Sequence, residues 1–224
     1  MKKICPIGSI FIKAHNKTIA GREHYWKSHC RKVKNRKYIL NHDEIKEIYQ
    51  ANKNQKLTLP KAYTFGAKNG LKYDHVIAFW VEYWNREFNI KSNITVGLVK
   101  TLMMSESTFG KMATAKTHNK SGTAIGLLQL TDYTLKLIQS SSKELRNHRF
   151  KITREDLFDP VVNVVVAVRW LYRKRQIAKH YLKKEPSALQ LAEEYKGIRN
   201  DKSFKANKQR DAFKKLWKDY RNAK

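Results

Sequence analysis

The sequence predicts a mainly α-helical domain over residues 71–224, preceded by a small basic region, residues 1–70, of undeclared structure. Three observations carry this. Apolar residues recur at helical spacing from Val76 onward. Capping residues stand where each apolar run begins. A polar stretch at 53–70, punctuated by Pro60, Gly66 and Gly70, reads as a linker between the two parts.

Signals in the first region are sparse. Weak alternation over 9–15 suits a strand, with Asn16-Lys17 as its turn. Residues 21–37 are dense in Lys, Arg and His, with Tyr25 and Trp26 among them. Residues 41–52 suit a short helix capped by Asn41 or Asp43. The opening stretch MKKICPIGSIFIKAHNK has lysines and a short apolar run interrupted by Pro6 and Gly8. It lacks a proper apolar core and a small-residue cleavage site, so no signal peptide is expected. No run approaches the ~20 apolar residues of a membrane span. Cys5 and Cys30 allow one disulfide in an oxidising compartment or two free thiols. No CxxC or HxxxH spacing supports metal binding with His24 and His29.

From Asp74 the pattern strengthens. Val76, Ile77, Phe79, Trp80, Tyr83, Trp84 and Phe88 mark an amphipathic helix whose aromatics belong in the core. Ser92 is read as the cap of a second helix, with Val96, Val99, Leu102 and Met103 on one face. Glu106 follows Val99 by seven residues and Met103 by three, and so projects from that apolar face near the helix end. Partial desolvation there favours a carboxyl that keeps its proton near neutral pH. On position alone, a surface glutamate at a fraying end fits equally well.

A small, polar loop follows, then Gly126-Leu127-Leu128-Gln129 tightens the chain before a helix-like pattern resumes. Thr131 or Asp132 caps a helix through Leu135, Leu137 and Ile138, and 139–147 is a polar loop. Asp159-Pro160 starts a long helix, with proline at its first position. The run 161–168, broken by Asn163, is rich in β-branched residues, and a strand competes there by propensity. Continuation through Trp170, Leu171, Tyr172 and Ile177 favours a buried helix. Pro186 opens a helix over 187–195, and Gly197 suits its C-terminal cap. Residues 202–221 place Phe213, Leu216, Trp217 and Tyr220 on one side and lysines on the other. That stripe packs on the domain or, as the alternative, lies on an anionic surface. Residues 74–224 thus hold about six helices around one core.

Taken in order, four stretches resemble the soluble lytic transglycosylase and goose-type lysozyme superfamily. Ser105-Glu106-Ser107 ends a helix. The stretch from Ala124 to Thr131 is similar to the family's Gly-Leu-Met-Gln segment. Leu157-Phe158-Asp159-Pro160 followed by Asn163 matches the start of its asparagine-bearing helix. Ala192-Glu193-Glu194-Tyr195-Lys196-Gly197 is similar to its Ala-Tyr-Asn-Ala-Gly segment. The resemblance covers about residues 90–200 and not 1–70. Leu128 stands where methionine is common, and Lys196 where asparagine is usual. Some secreted toxin-like relatives have Tyr-Asn-Gly, to which Tyr-Lys-Gly is closer.

The resemblance implies a lysozyme-like helical domain that cuts the β-1,4 bond from N-acetylmuramic acid to N-acetylglucosamine in peptidoglycan. It implies Glu106 as the catalytic acid and base, with no metal or cofactor. Ser107, Gly126, Leu128, Gln129, Tyr195 and Lys196 would bind substrate or shape its site. Ser107 would hydrogen-bond near Glu106, Gln129 would contact the sugar, and Tyr195 would sit over Glu106. Ordinary glycosidases add a second carboxylate. Asp132, Asp159, Glu193 and Glu194 are the candidates, but helix caps or solvated faces account for all four. Assistance from the substrate's N-acetyl group is therefore expected, giving a 1,6-anhydro product, or a hydrolysed one if water intervenes.

Composition sets the working place. Lys+Arg 47 against Asp+Glu 19 gives +28, which implies an anionic partner: cell wall, nucleic acid or membrane surface. The resemblance implies peptidoglycan strands among these, and the charge is compatible with them. Nucleic acid is the non-enzymatic rival, suited by residues 21–37, but no standard nucleic-acid motif is present. With no leader expected, action in the periplasm or wall implies delivery by a secretion system or a phage lysis route. A delivery or immunity protein is then an expected partner.

Overall fold

The computed structural model describes residues 9–12, 15–19, 22–26, 29–32, 38–88, 94–110, 114–116, 121–140 and 148–223. The described fold is mainly helical: α1 (His42–Asn52), α2 (Asp74–Glu87), α3 (Val96–Ser107), α4 (Asp132–Gln139), α5 (Pro160–Leu182), α6 (Ala188–Lys196) and α7 (Phe204–Asn222). Its strands are short. β1 (Ser9–Ile12) pairs antiparallel with β4 (His29–Lys32), and β2 (His15–Ile19) with β3 (Arg22–Trp26). β5 (Tyr38–Asn41) runs parallel to β9 (His148–Lys151). β6 (Thr114–Lys116), β7 (Thr123–Ile125) and β8 (Leu130–Thr131) form an antiparallel sheet.

The long helix α5 is the centre, with α1, α2, α4 and α6 packed on it. Val162 and the run from Val164 to Val168 are fully buried. Helix wins over strand here because the local start is specified. Asp159 accepts from the N–H groups of Val161 and Val162, at 2.8 and 3.3 Å, and Pro160 follows it. Burial on all sides then outweighs the χ1 restriction of the valines. Leu40 and Ile45 join the same apolar core as the later helices. The stretch 53–70 contains neither helix nor strand, yet Leu57, Phe65 and Ala67 pack against that core.

Several local expectations change. Asn16-Lys17 lies inside β2 rather than at a turn. Ser92 lies outside the described residues, and α3 is capped by Thr95, whose side chain accepts from the Leu98 N–H. Cys5 and residues 141–147 of the expected polar loop also lie outside them. The tightening expected at 126–129, with α4 after it, is the turn between two short strands, β7 and β8, that the sequence did not announce. Their few residues are too short to show an alternating pattern. α1, α2, α4, α5, α6 and α7 otherwise stand where the sequence placed them, with Asn41, Thr131, Asp159 and Ser187 as caps.

Asp159 also carries a pH signature. Burial pushes its carboxyl up, but Lys46 at 2.5 Å and the Val161 and Val162 N–H groups outweigh that and hold it below its ordinary value. A carboxylate held low stabilises the fold above the unfolded carboxyl's value, near about pH 4, and loses that effect as pH falls through the folded value. Asp159→Ala is expected to lower stability by about 1–2 kcal/mol at pH 7. Urea unfolding should show the gap to wild type narrowing in acid; an undiminished gap below about pH 3 would count against the ion pair.

α3 packs on α2 and α7, while α6 packs on α5 and α7. α7 therefore ties α3 to α6. This arrangement brings the C-terminal ends of α3 and α6 together, although 90 residues separate them in sequence at the point of contact.

Candidate active site

Glu106 sits in the last turn of α3, with its side chain 16% exposed. The chain turns sharply after it. Thr108, Phe109 and Gly110 all take left-handed backbone angles, with φ of 52°, 55° and 92°. Two consecutive non-glycine residues in that region are strained, and such strain persists only where surrounding contacts hold it. Here Phe109 is buried, the Thr108 N–H donates to the Met104 carbonyl, and the Gly110 N–H donates to Ser107 Oγ at 3.0 Å.

Ser107 joins the helix end to the sheet. It is fully buried, and its Oγ donates to the Leu127 carbonyl at 2.7 Å. Expected to hydrogen-bond near Glu106, it bonds the turn between β7 and β8. Leu128 and Gly126 are likewise buried. Asn163, in the first turn of α5, clamps this turn from below. Its Oδ1 accepts from the Leu128 N–H at 2.9 Å, and its Nδ2 donates to the Ile125 and Leu157 carbonyls at 3.1 and 2.9 Å. Gln129 closes the turn with φ 47°, and its Nε2 donates to the Gly126 carbonyl at 2.8 Å. It keeps part of its surface exposed.

The third wall is the end of α6, which a Ser187–Gln190 capping box begins and a left-handed Gly197 ends. Tyr195 Oη donates to the Leu128 carbonyl at 2.6 Å, so it holds the same turn from above. Burial first, and the Glu106 carboxylate second, push its phenol well above the usual range. At neutral pH it is a neutral phenol, never a phenolate. Lys196 Nζ donates to Glu106 Oε1 at 2.6 Å, and its side chain is only 8% exposed. Glu106 was expected on a simply apolar face. It faces an ammonium instead, which the last residue of α6 is well placed to supply, because helix C-termini favour cations.

Glu106, Gln129, Tyr195 and Lys196 thus each keep some exposed surface around one turn, while Ser107, Gly126 and Leu128 build that turn from beneath. The four other candidate carboxylates are engaged elsewhere. Asp132 accepts from the Thr123 N–H and Arg154; Asp159 caps α5 and pairs with Lys46. Glu193 pairs with Arg210, and Glu194 with Lys174, Arg199 and Tyr181. Among the described residues no group of His, Cys, Asp and Glu could hold a metal ion, and no helix is long and apolar enough to cross a membrane.

Sequence reasoning placed Lys196 at the substrate but missed its pairing with Glu106, which only the packing of α6 against α3 creates. Asn163 was noticed as a motif residue without a task; its burial on an apolar run was the available signal. Chemically, the site offers one carboxyl able to give and take a proton, one ammonium at hydrogen-bond distance, and a fixed set of main-chain groups. A family model described as the transglycosylase SLT domain matches residues 83–216. Neither the curated proteins nor the solved structures searched gave a match.

Proposed function

The chain belongs to the transglycosylase SLT domain family, and from that membership we propose that Glu106 is the sole acid and base of a lytic transglycosylase. At family level the activity is cleavage of peptidoglycan. The finer reading concerns the bond and the product. Glu106 gives its proton to the glycosidic oxygen between N-acetylmuramic acid and N-acetylglucosamine. The C1–O bond breaks, and the N-acetyl carbonyl oxygen shields the positive charge at C1. Glu106, now a carboxylate, takes the proton of the muramic 6-hydroxyl, and O6 bonds to C1. The product is a 1,6-anhydro ring, and no water is consumed.

The observation that carries this reading is the convergence of three separate segments on one carboxyl: the end of α3, the 126–129 turn and the end of α6. The engagement of Asp132, Asp159, Glu193 and Glu194 in caps and ion pairs supports a single-carboxylate route. Tyr195, which senses the Glu106 carboxylate, and Gln129, in the turn that Tyr195 holds, are assigned to sugar contact and positioning. The +28 charge suits a wall rich in stem-peptide carboxylates and phosphate polymers. Work in the periplasm or wall, reached by a secretion machine or phage route, belongs to the same proposal.

The test is digestion of purified peptidoglycan with mass analysis of the products. Anhydro-muropeptides are expected. Reducing-end muropeptides in their place would move the assignment to a hydrolytic muramidase, and an absence of products would remove both.

A further inference from the structure

The Lys196–Glu106 pair poses a chemical problem for the reaction just described. Lys196 Nζ occupies Glu106 Oε1 at 2.6 Å, while the first step needs that carboxyl turned to the glycosidic oxygen. Both side chains are largely covered, at 8% and 16% exposure, so bulk water does little to weaken the pair. Glu106 is also at the end of a helix whose free carbonyls disfavour a lone negative charge. The pair is thus a stable resting arrangement that something must open.

The natural competitor for an ammonium is a second carboxylate. It must lie within a lysine's reach of the bond that Glu106 protonates. On the peptidoglycan glycan, the carboxyl closest to that bond is the lactyl group on O3 of the muramic ring whose C1 reacts. In strands that carry stem peptides this carboxyl is tied up as an amide; in peptide-free strands it is a free anion. The carboxylates of the stem peptide lie further from the sugar.

Taking Glu106 as the acid, we infer that Lys196 is a specificity-determining residue that selects peptide-free glycan, because a free lactyl carboxylate draws its ammonium away from Glu106. The exchange has two consequences. The substrate gains a charge-assisted hydrogen bond. Glu106 is freed of its cation most readily when the free lactyl carboxylate is in place, and its oxygen can then face the glycosidic oxygen. Tyr195, fixed on the Leu128 carbonyl at 2.6 Å, cannot substitute for the lysine, since its phenol stays neutral.

The experiment compares two substrates: glycan strands stripped of peptide, and the same strands with their lactyl carboxyls converted to primary amides. The wild-type chain is expected to show a kcat/KM ratio, free acid over amide, on the order of tenfold. Lys196→Gln keeps a donor for Glu106 but carries no charge, and its ratio is expected to fall to about one. Lys196→Arg keeps the charge and should retain most of the preference. A wild-type ratio near one, or an unchanged ratio in Lys196→Gln, overturns the inference while leaving Glu106 as the acid. Failure of the wild type to cut either substrate overturns the catalytic assignment and this inference with it.

Discussion

Replacing Glu106 with glutamine is expected to slow glycan cleavage by at least about a hundredfold, and by up to about ten-thousandfold, the range set by losing a positioned acid and base. The glutamine has the shape of the glutamate and its carbonyl still accepts from Lys196, so the packing at the end of α3 is retained. What disappears is the transferable proton. Because the same carboxyl serves in both halves of the proposed reaction, no partial pathway survives its removal. Release of soluble fragments from purified peptidoglycan measures the rate, and urea unfolding checks that the fold is intact. A folded variant with more than about a tenth of wild-type activity would show that another group carries the proton, and the engaged carboxylates of Asp132 and Glu193 would become the next to test.

How far this site can be read from sequence depends on how local each feature is. The cap at Asp159 and the helix after it were legible, because proline and aspartate act on the next few backbone groups. α2 was legible from the spacing of Val76, Ile77, Trp80 and Trp84, all buried. Glu106 was legible as a carboxyl near a helix end, and motif order lent it significance. Among the described strands β1 was legible, from the weak alternation over 9–15, and the others were not. β7 and β8 hold three and two residues, too few for a period to emerge, and their pairing is set by the turn and by Asn163 from a distant helix. The parallel pairing of residues 38–41 with 148–151 left no local trace at all. The cap of α3 was misplaced by three residues, at Ser92 rather than Thr95, since both residue types are N-cap formers and serine is the stronger one. Lys196 looked like a departure at a sugar contact. Its ion pair with Glu106 is a product of tertiary packing, and nothing in the spacing of either residue announced it.

Gly126→Ala is expected to be the most damaging single change at the base of the site. Gly126 has φ 76°, and a methyl group there would run into the Asn163 amide nitrogen and come to 2.5 Å from the Leu157 carbonyl oxygen. Neither neighbour can retreat cheaply. Asn163 is fully buried, and its amide makes three bonds that tie the turn to α5 and the segment before it: to the Leu128 N–H and to the Ile125 and Leu157 carbonyls. Pushing it aside leaves buried polar groups unsatisfied at about 1–3 kcal/mol each, on top of about 1–2 kcal/mol for alanine in the left-handed region. A total loss of about 3–5 kcal/mol follows, with activity falling further as Leu128 and Gln129 shift away from Tyr195. Gly197→Ala is the control that separates the two contributions. Gly197 has a similar φ of 69°, but nothing lies within 4 Å of an added methyl group. It should lose only the conformational part, about 1–2 kcal/mol. Unfolding free energies for the two variants therefore measure how strongly the Asn163 clamp constrains the turn. Equal losses would mean that backbone conformation alone requires the glycine, and that the turn beneath Glu106 is held by Ser107 and Tyr195 rather than by α5.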